Sequence, residues 1–376
     1  MNSNTEQLIK KALRFEENAK DVITRMAIDN GQIEDYLVTP GKHIVVFPEP
    51  HKGLNMVISD DVDDDIVEFN DNIYLVHPHA LSQLASKNNL PGSHLAKWSK
   101  GELWEQQIAT NVINEHFANR RYKNQVMLRT IDNTVRAYVS DKFDRYNSTE
   151  VFKEFIQMSK NHGARISNAY YNDISSYIEV LIPEPITIND EDWVYAVQFR
   201  NSDFGGAAMD IRSMLIKLIC TNGITRQSML RQIHRGSTIE SSDIKLGMDT
   251  IKANTEAKKL LIRDYSNHIF SKDHINQEID KFEFVNRIEI NIEKPIAKLP
   301  KFGATKDDIE SIRNLLMDNN PNTGVSKGGN VMRVANAISY LANEFADMDS
   351  NADKIASYKD MAGKLITSYE PKEINV

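Results

Sequence analysis

Cations interleaved with tyrosines are the residues with most chemistry to offer. Arg136, Lys142, Arg145, Arg200, Arg212, Lys217, Arg226, Arg231 and Arg235 fall in the centre of the chain, among Tyr138, Tyr146, Tyr170, Tyr171, Tyr177 and Tyr195. Guanidinium and ammonium groups neutralise phosphates, and aromatic faces stack on bases. Together they hold a single nucleic-acid strand without reading its sequence. The stretch carrying Arg226, Arg231, His234 and Arg235 contains no acid. The competing reading is structural: tyrosines half-buried in strands, and cations paired with neighbouring carboxylates.

Other chemistries are less well served. Cys220 and His234 have the residue types of a nucleophile and its base, but nothing in the spacing joins them. A single cysteine also excludes an internal disulfide and any cysteine-based zinc site. His77-Pro78-His79 offers two imidazoles, with His51 or His94 as further ligands, but the proline favours a turn. Asp141, Asp144, Asp203 and Asp210 have the chemistry for magnesium, yet they sit near turns, where aspartate is common for capping reasons. The run Asp60 to Asp65 lacks the glycine and the closing glutamate of a calcium loop. Gly324 to Asn330 precedes a helix with the wrong spacing for a phosphate cradle, and Asp203-Phe204-Gly205 stands without the partners of a kinase signature. No catalytic residue, metal or cofactor is assigned.

Composition sets the frame. The chain has 376 residues, is 41% hydrophobic and 26% charged, and carries a net charge of −8. Those values describe a folded globular protein and exclude a wholly disordered one. No apolar run reaches the ~18 residues of a membrane helix. Met1 to Glu6 show neither a basic nor an apolar leader, so a cytoplasmic location is expected, the host's if a phage encodes the chain. The first hundred residues hold 10 basic and 15 acidic side chains, whereas residues 101–240 hold 16 and 17. A polyanion would therefore meet the centre, through local rather than net charge.

The elements that must position these residues follow from periodicity. Thr5 to Asp29 predicts an amphipathic helix ended by Asn30-Gly31. Residues 34–76 predict short strands between Pro, Gly and Asp turns, and 78–118 predict helices broken at Pro91-Gly92. In the centre, 126–129 and 135–140 flank Asp132-Asn133 as a hairpin, and a helix is expected over 148–161. Strands are expected over 164–171, 176–182 and 193–200, with a returning strand over 207–220. From about Met229 the pattern turns helical, with helices expected over 247–270, 273–282, 304–317, 329–346 and 351–368. The fold class is α+β: a central, mainly antiparallel sheet formed by 125–220, helices on one face, and a helical C-terminal third. Three regions are expected: 1–118, with a helix, a small β-rich segment and helices; 119–240, the α+β core; and 241–376, helical.

Several short blocks resemble a known family. Val135-Arg136-Ala137-Tyr138-Val139-Ser140-Asp141-Lys142-Phe143 is followed by an asparagine turn and a helix. Phe199-Arg200-Asn201-Ser202-Asp203-Phe204-Gly205-Gly206, Leu218-Ile219-Cys220-Thr221-Asn222-Gly223 and Ile233-His234-Arg235-Gly236 follow in order, and Val331 to Ile338, containing Asn336, closes the series. Together, over roughly 125–345, they resemble the phage/plasmid-like proteins grouped as domain of unknown function 932. The aspartate of the second block is shifted by one position, Lys217 stands where the third block opens, and the closing helix lacks its tryptophan. The resemblance implies a gene of a phage or plasmid, often beside DNA-maintenance genes, and no established activity. Asn201, Ser202, Asp203, Cys220, Asn222 and Asn336 are its motif residues, with a structural or a functional role.

The expected function is a non-enzymatic, homo-oligomeric protein of mobile-element DNA metabolism that binds or anneals single-stranded DNA. Arg136, Lys142, Arg145, Arg200, Lys217, Arg226, Arg231, His234 and Arg235 are its expected contacts, converging into one trough. The alternatives are a virion or host-interaction protein, which needs large apolar interfaces, and a metal-dependent nucleic-acid enzyme, which needs clustered carboxylates or histidines.

Overall fold

Local signals fix most helix ends. Pro78 occupies the first turn of a helix whose cap, His77, accepts a hydrogen bond from the His79 amide at 3.1 Å. Asn147 accepts from the Glu150 amide at 3.2 Å to open the next long helix, and Gly163, at φ +78°, lies just beyond its end. Asp132 and Asn133 adopt φ +47° and +56°, the left-handed pair of a tight hairpin.

The computed structural model describes residues 6–7, 9–10, 13, 16–50, 52–59, 73–120, 125–188, 191–218, 222–232, 248–318, 325, 329–343 and 348–370. Eleven helices run through them: α1 Ala19–Gly31, α2 Pro78–Asn88, α3 Gly92–Trp98, α4 Leu103–Asn119, α5 Ser148–Asn161, α6 Met248–Ile269, α7 Lys272–Asn286, α8 Glu293–Ile296, α9 Lys306–Asp318, α10 Asn330–Asn343 and α11 Met348–Thr367. The strands are β1 Glu34–Val38, β2 Ile44–Glu49, β3 Gly53–Ile58, β4 Ile73–Val76, β5 Val126–Ile131, β6 Thr134–Ser140, β7 Arg165–Tyr171, β8 Ser176–Ile188, β9 Glu191–Asn201, β10 Met209–Lys217 and β11 Asn222–Gln232.

The fold class is α+β with a helical C-terminal region, but the strands form two sheets rather than one. The first has the order β1-β5-β6-β4-β3-β2, antiparallel except where β4 runs parallel to β6. It joins strands from both sides of residue 118, because the β5–β6 hairpin pairs with β1 and β4. The second is an antiparallel meander, β7 to β11 in chain order. β11 corrects the sequence expectation, since residues 229–232 continue a strand paired with β10. A neighbouring strand has overridden local helical periodicity.

β8 also runs longer than expected, through Pro183 and Pro185. β7 pairs with β8 only as far as Leu181, so both prolines lie where β8 has lost that neighbour. A missing amide hydrogen is tolerated there.

Alternation sorts the cores, reset on β6 by a bulge between Val135 and Ala137. In the first sheet Leu128, Val135 and Tyr138 pack with Leu81 and Leu84 of α2 and with Ile113 and Phe117 of α4. Its other face, through Met127, Ala137 and Val139, buries Phe143 and Phe204. In the second sheet Trp193, Tyr195, Val197 and Phe199 face the main core with α5 to α7, α10 and α11. The alternate residues Val194 and Ala196, with Met214 and Ile216, pack against Ile9 and Leu13.

Candidate functional site

Two polar clusters stand out, and each gathers residues singled out by the sequence. The first is the junction between the sheets, where the 201–206 turn docks against β5, β6, α1 and α5. Ser202 is buried; its hydroxyl donates to the Ile174 carbonyl at 2.5 Å and accepts from the Phe204 and Gly206 amides at 3.2 and 2.8 Å. That closes the turn locally. Gly205 takes φ +72° within it. Asp203 accepts from Ser148 Oγ at 2.5 Å and from Asn30 Nδ2 at 3.2 Å. Asn201 accepts from the Tyr146 hydroxyl at 2.8 Å. Phe204 enters the small core behind β5 and β6, and its carbonyl accepts from Gln83 at 2.9 Å.

The junction cations are matched there by carboxylates. Arg129 reaches Asp35 at 2.7 Å and donates to the Asp203 carbonyl, and Arg145 approaches Asp35 at 3.5 Å. Arg136 pairs with Asp29 at 3.2 Å, and Asp29 also accepts from the Tyr171 hydroxyl at 2.7 Å. Burial, reinforced by Asp29, pushes the Tyr171 phenol upward, so it stays a protonated donor. His77 lies 3.9 Å from Asp173; burial lowers its pKa against that carboxylate's pull. The cluster therefore ties two sheets, a helix end and a helix start into one unit.

The second cluster is a cavity of about 340 Å³ on the second sheet. It arises from a change of character along one face. On β9 that face runs Val194, Ala196, Gln198, Arg200; on β10 it runs Ile216, Met214, Arg212, Asp210. Register sets Gln198 opposite Arg212 and Arg200 opposite Asp210. The polar ends therefore coincide, and α11 meets them with Ser357 and Asp360. Arg212 pairs with both Asp210 and Asp360. Next to the cavity residues, Glu179 lies opposite Gln198, accepts from Tyr177 and Ser167 at 2.9 Å each, and sits 3.4 Å from Lys359. Arg231 of β11 pairs in register with Asp210, beside the cavity, and is exposed.

Among the described residues, the expected nucleic-acid contacts are not brought into one trough. Arg136 and Arg145 are spent in the junction. Lys217 is a correction: its ammonium is 1% exposed, 2.6 Å from Glu191 and over the Trp193 ring, because it shares the inward face of Leu215. Lys142 is half-buried beside the junction. Arg200 lines the cavity and Arg231 is exposed on the terminal strand. The side chain of Arg226 lies outside the described residues, as do His234, Arg235 and Cys220. The tyrosines correct the stacking expectation: Tyr138, Tyr146, Tyr170, Tyr177 and Tyr195 are buried.

Of the motif residues, Asn201, Ser202 and Asp203 belong to the junction. Asn336 is buried in α10, and the Asn222 backbone pairs with Lys217, its side chain lying outside the described residues. The four aspartates considered for magnesium are not gathered at one point: Asp144 binds Lys258 at 2.7 Å, while Asp203 and Asp210 have the partners above. Among the described residues no group of three or more His, Cys, Asp or Glu is placed to hold a metal ion. His79 contacts the Phe204 carbonyl and His94 lies tilted against Trp98, so these imidazoles do not share a site. Among the described residues no helix is long and apolar enough to cross a membrane.

Sequence reading missed Asp29, Asp35 and Arg129 at the junction and Ser357 and Asp360 at the cavity, all far in the chain from the residues they meet. Alternation gave the one available signal, since Gln198, Arg200, Asp210 and Arg212 break otherwise apolar strand faces. Comparison with family models, with curated proteins and with solved structures returned no match.

Proposed function

We propose that the chain is a non-enzymatic single-stranded-DNA-binding protein of a mobile element, working as a homo-oligomer in the cytoplasm. The strand backbone runs along β11 rather than over the centre of the sheet. One observation carries this reading: Arg231 is exposed on the terminal strand, inside the acid-free stretch that also holds Arg226, His234 and Arg235. Phosphate contacts of this kind bind without sequence preference and weaken with salt. Fluorescence titration of a labelled oligothymidylate tests it. The Arg226/Arg231/Arg235→Ala variant is expected to bind about tenfold or more weakly. Its salt slope should be shallower by about 0.7 for each phosphate no longer neutralised. No binding by the native chain at low salt would overturn the reading.

A second reading, an interaction protein of a virion or directed at the host, has its own support. Trp104 is 60% exposed on α4, beside Leu103 and Ile108, which are also exposed. Exposed apolar patches built around an aromatic side chain favour protein interfaces.

A further inference from the structure

The cavity on the second sheet has a composition that selects its ligand. Two guanidinium groups, Arg200 and Arg212, face two carboxylates, Asp210 and Asp360, so the formal charges of its lining cancel. A phosphate placed inside would meet both carboxylates, and an ammonium both arginines. A neutral group with its own donors and acceptors meets neither penalty. Gln198 adds an amide that donates and accepts. The volume lies at the lower end of the about 300–1,000 Å³ typical of small-ligand sites.

Its neighbour then supplies the rest of the ligand. Arg231 pairs in register with Asp210, so their side chains leave the same face of adjacent strands, and Arg231 is exposed. An anionic group at Arg231 and a neutral polar group next to it inside the cavity describe one nucleotide unit. We propose that the cavity receives one nucleobase of the strand whose phosphates lie along β11; this rests on the single-strand reading above. No aromatic side chain lines the cavity, so the base is held by its hydrogen-bonding edge rather than by stacking.

Three strands of equal length separate the contributions: oligothymidylate, a fully abasic phosphodeoxyribose chain, and a chain of difluorotoluene nucleotides, which keep the shape of thymine without its hydrogen bonds. The native protein is expected to prefer oligothymidylate over the other two by about tenfold. Two variants should erase that preference and leave abasic binding unchanged. Ser357→Trp fills the cavity from an exposed helix position, and Gln198→Met keeps volume while removing the amide. Saturable thymidine binding by NMR, abolished in Ser357→Trp, is the companion measurement. Equal binding of all three strands by the native protein would overturn the cavity proposal and leave the β11 reading standing. Thymidine binding without strand binding would overturn the β11 reading and, with it, a strand-borne base as the cavity's ligand. Binding of neither would overturn both.

Discussion

The junction and the cavity are built from the same residue types, arginine, aspartate and small polar side chains, yet they solve different problems. At the junction each described arginine meets a carboxylate: Arg129 and Arg145 at Asp35, Arg136 at Asp29. The cluster is enclosed by α1, α5 and the 201–206 turn, and most of its polar groups are used in joining two sheets. At the cavity Arg212 is likewise neutralised, but the cluster opens to solvent and continues into exposed Arg231. Arginine and tyrosine content alone therefore says little about binding. What separates the two is whether the fold closes over the charges.

That contrast breaks most directly through Arg129. Its side chain is 7% exposed, and Arg129→Met would leave the partly buried Asp35 with only the longer contact to Arg145 and free the Asp203 carbonyl. The expected loss is about 3–5 kcal/mol in urea unfolding. A loss below about 1 kcal/mol would mean that the junction is not what holds the sheets together.

Lys217→Met sharpens the same point inside the second sheet. Glu191 would lose the Lys217 ammonium while the aliphatic stem stays packed, so a loss of about 3 kcal/mol is expected. Strand affinity of the folded fraction should not change, and a fall in affinity would return Lys217 to the binding surface. Arg231→Ala is the mirror image. Stability should move by no more than about 0.5 kcal/mol, while oligothymidylate affinity falls by a few fold and becomes less salt-dependent.

The smallest expected effect is one of pH. Burial lowers the His77 pKa, so the unfolded chain takes up a proton more readily than the folded one. Stability is then full above the ordinary imidazole range and declines as pH falls through it toward the folded value. Protonation also removes the Nδ1 lone pair that caps α2. His77→Asn keeps a good cap without the titration, so it should flatten the change in urea midpoint between about pH 7.5 and about pH 5.5. An unchanged slope would assign the pH dependence to other groups.

How much of this could be read from the chain depends on how local each signal is. The α5 boundaries were legible because Asn147 caps and His162-Gly163 stops within a few residues of the helix. The β5–β6 hairpin was legible from Asp132-Asn133 for the same reason. β11 was not, because its strand state is imposed by β10, and neither was the division into two sheets, which depends on β1 pairing with β5 across about 90 residues of chain. Lys217 shows a missed inference rather than a missing signal, since its parity with Leu215 placed it inward. The block around Asn201, Ser202 and Asp203 has an architectural explanation in the junction that needs no bound molecule.

Pro183 and Pro185 have a consequence beyond their own strand. Past Leu181 the free margin of β8 has no amide hydrogen at either position, so an incoming chain would find gaps in the ladder it must complete. Two prolines so close together make that margin a poor template for an added strand.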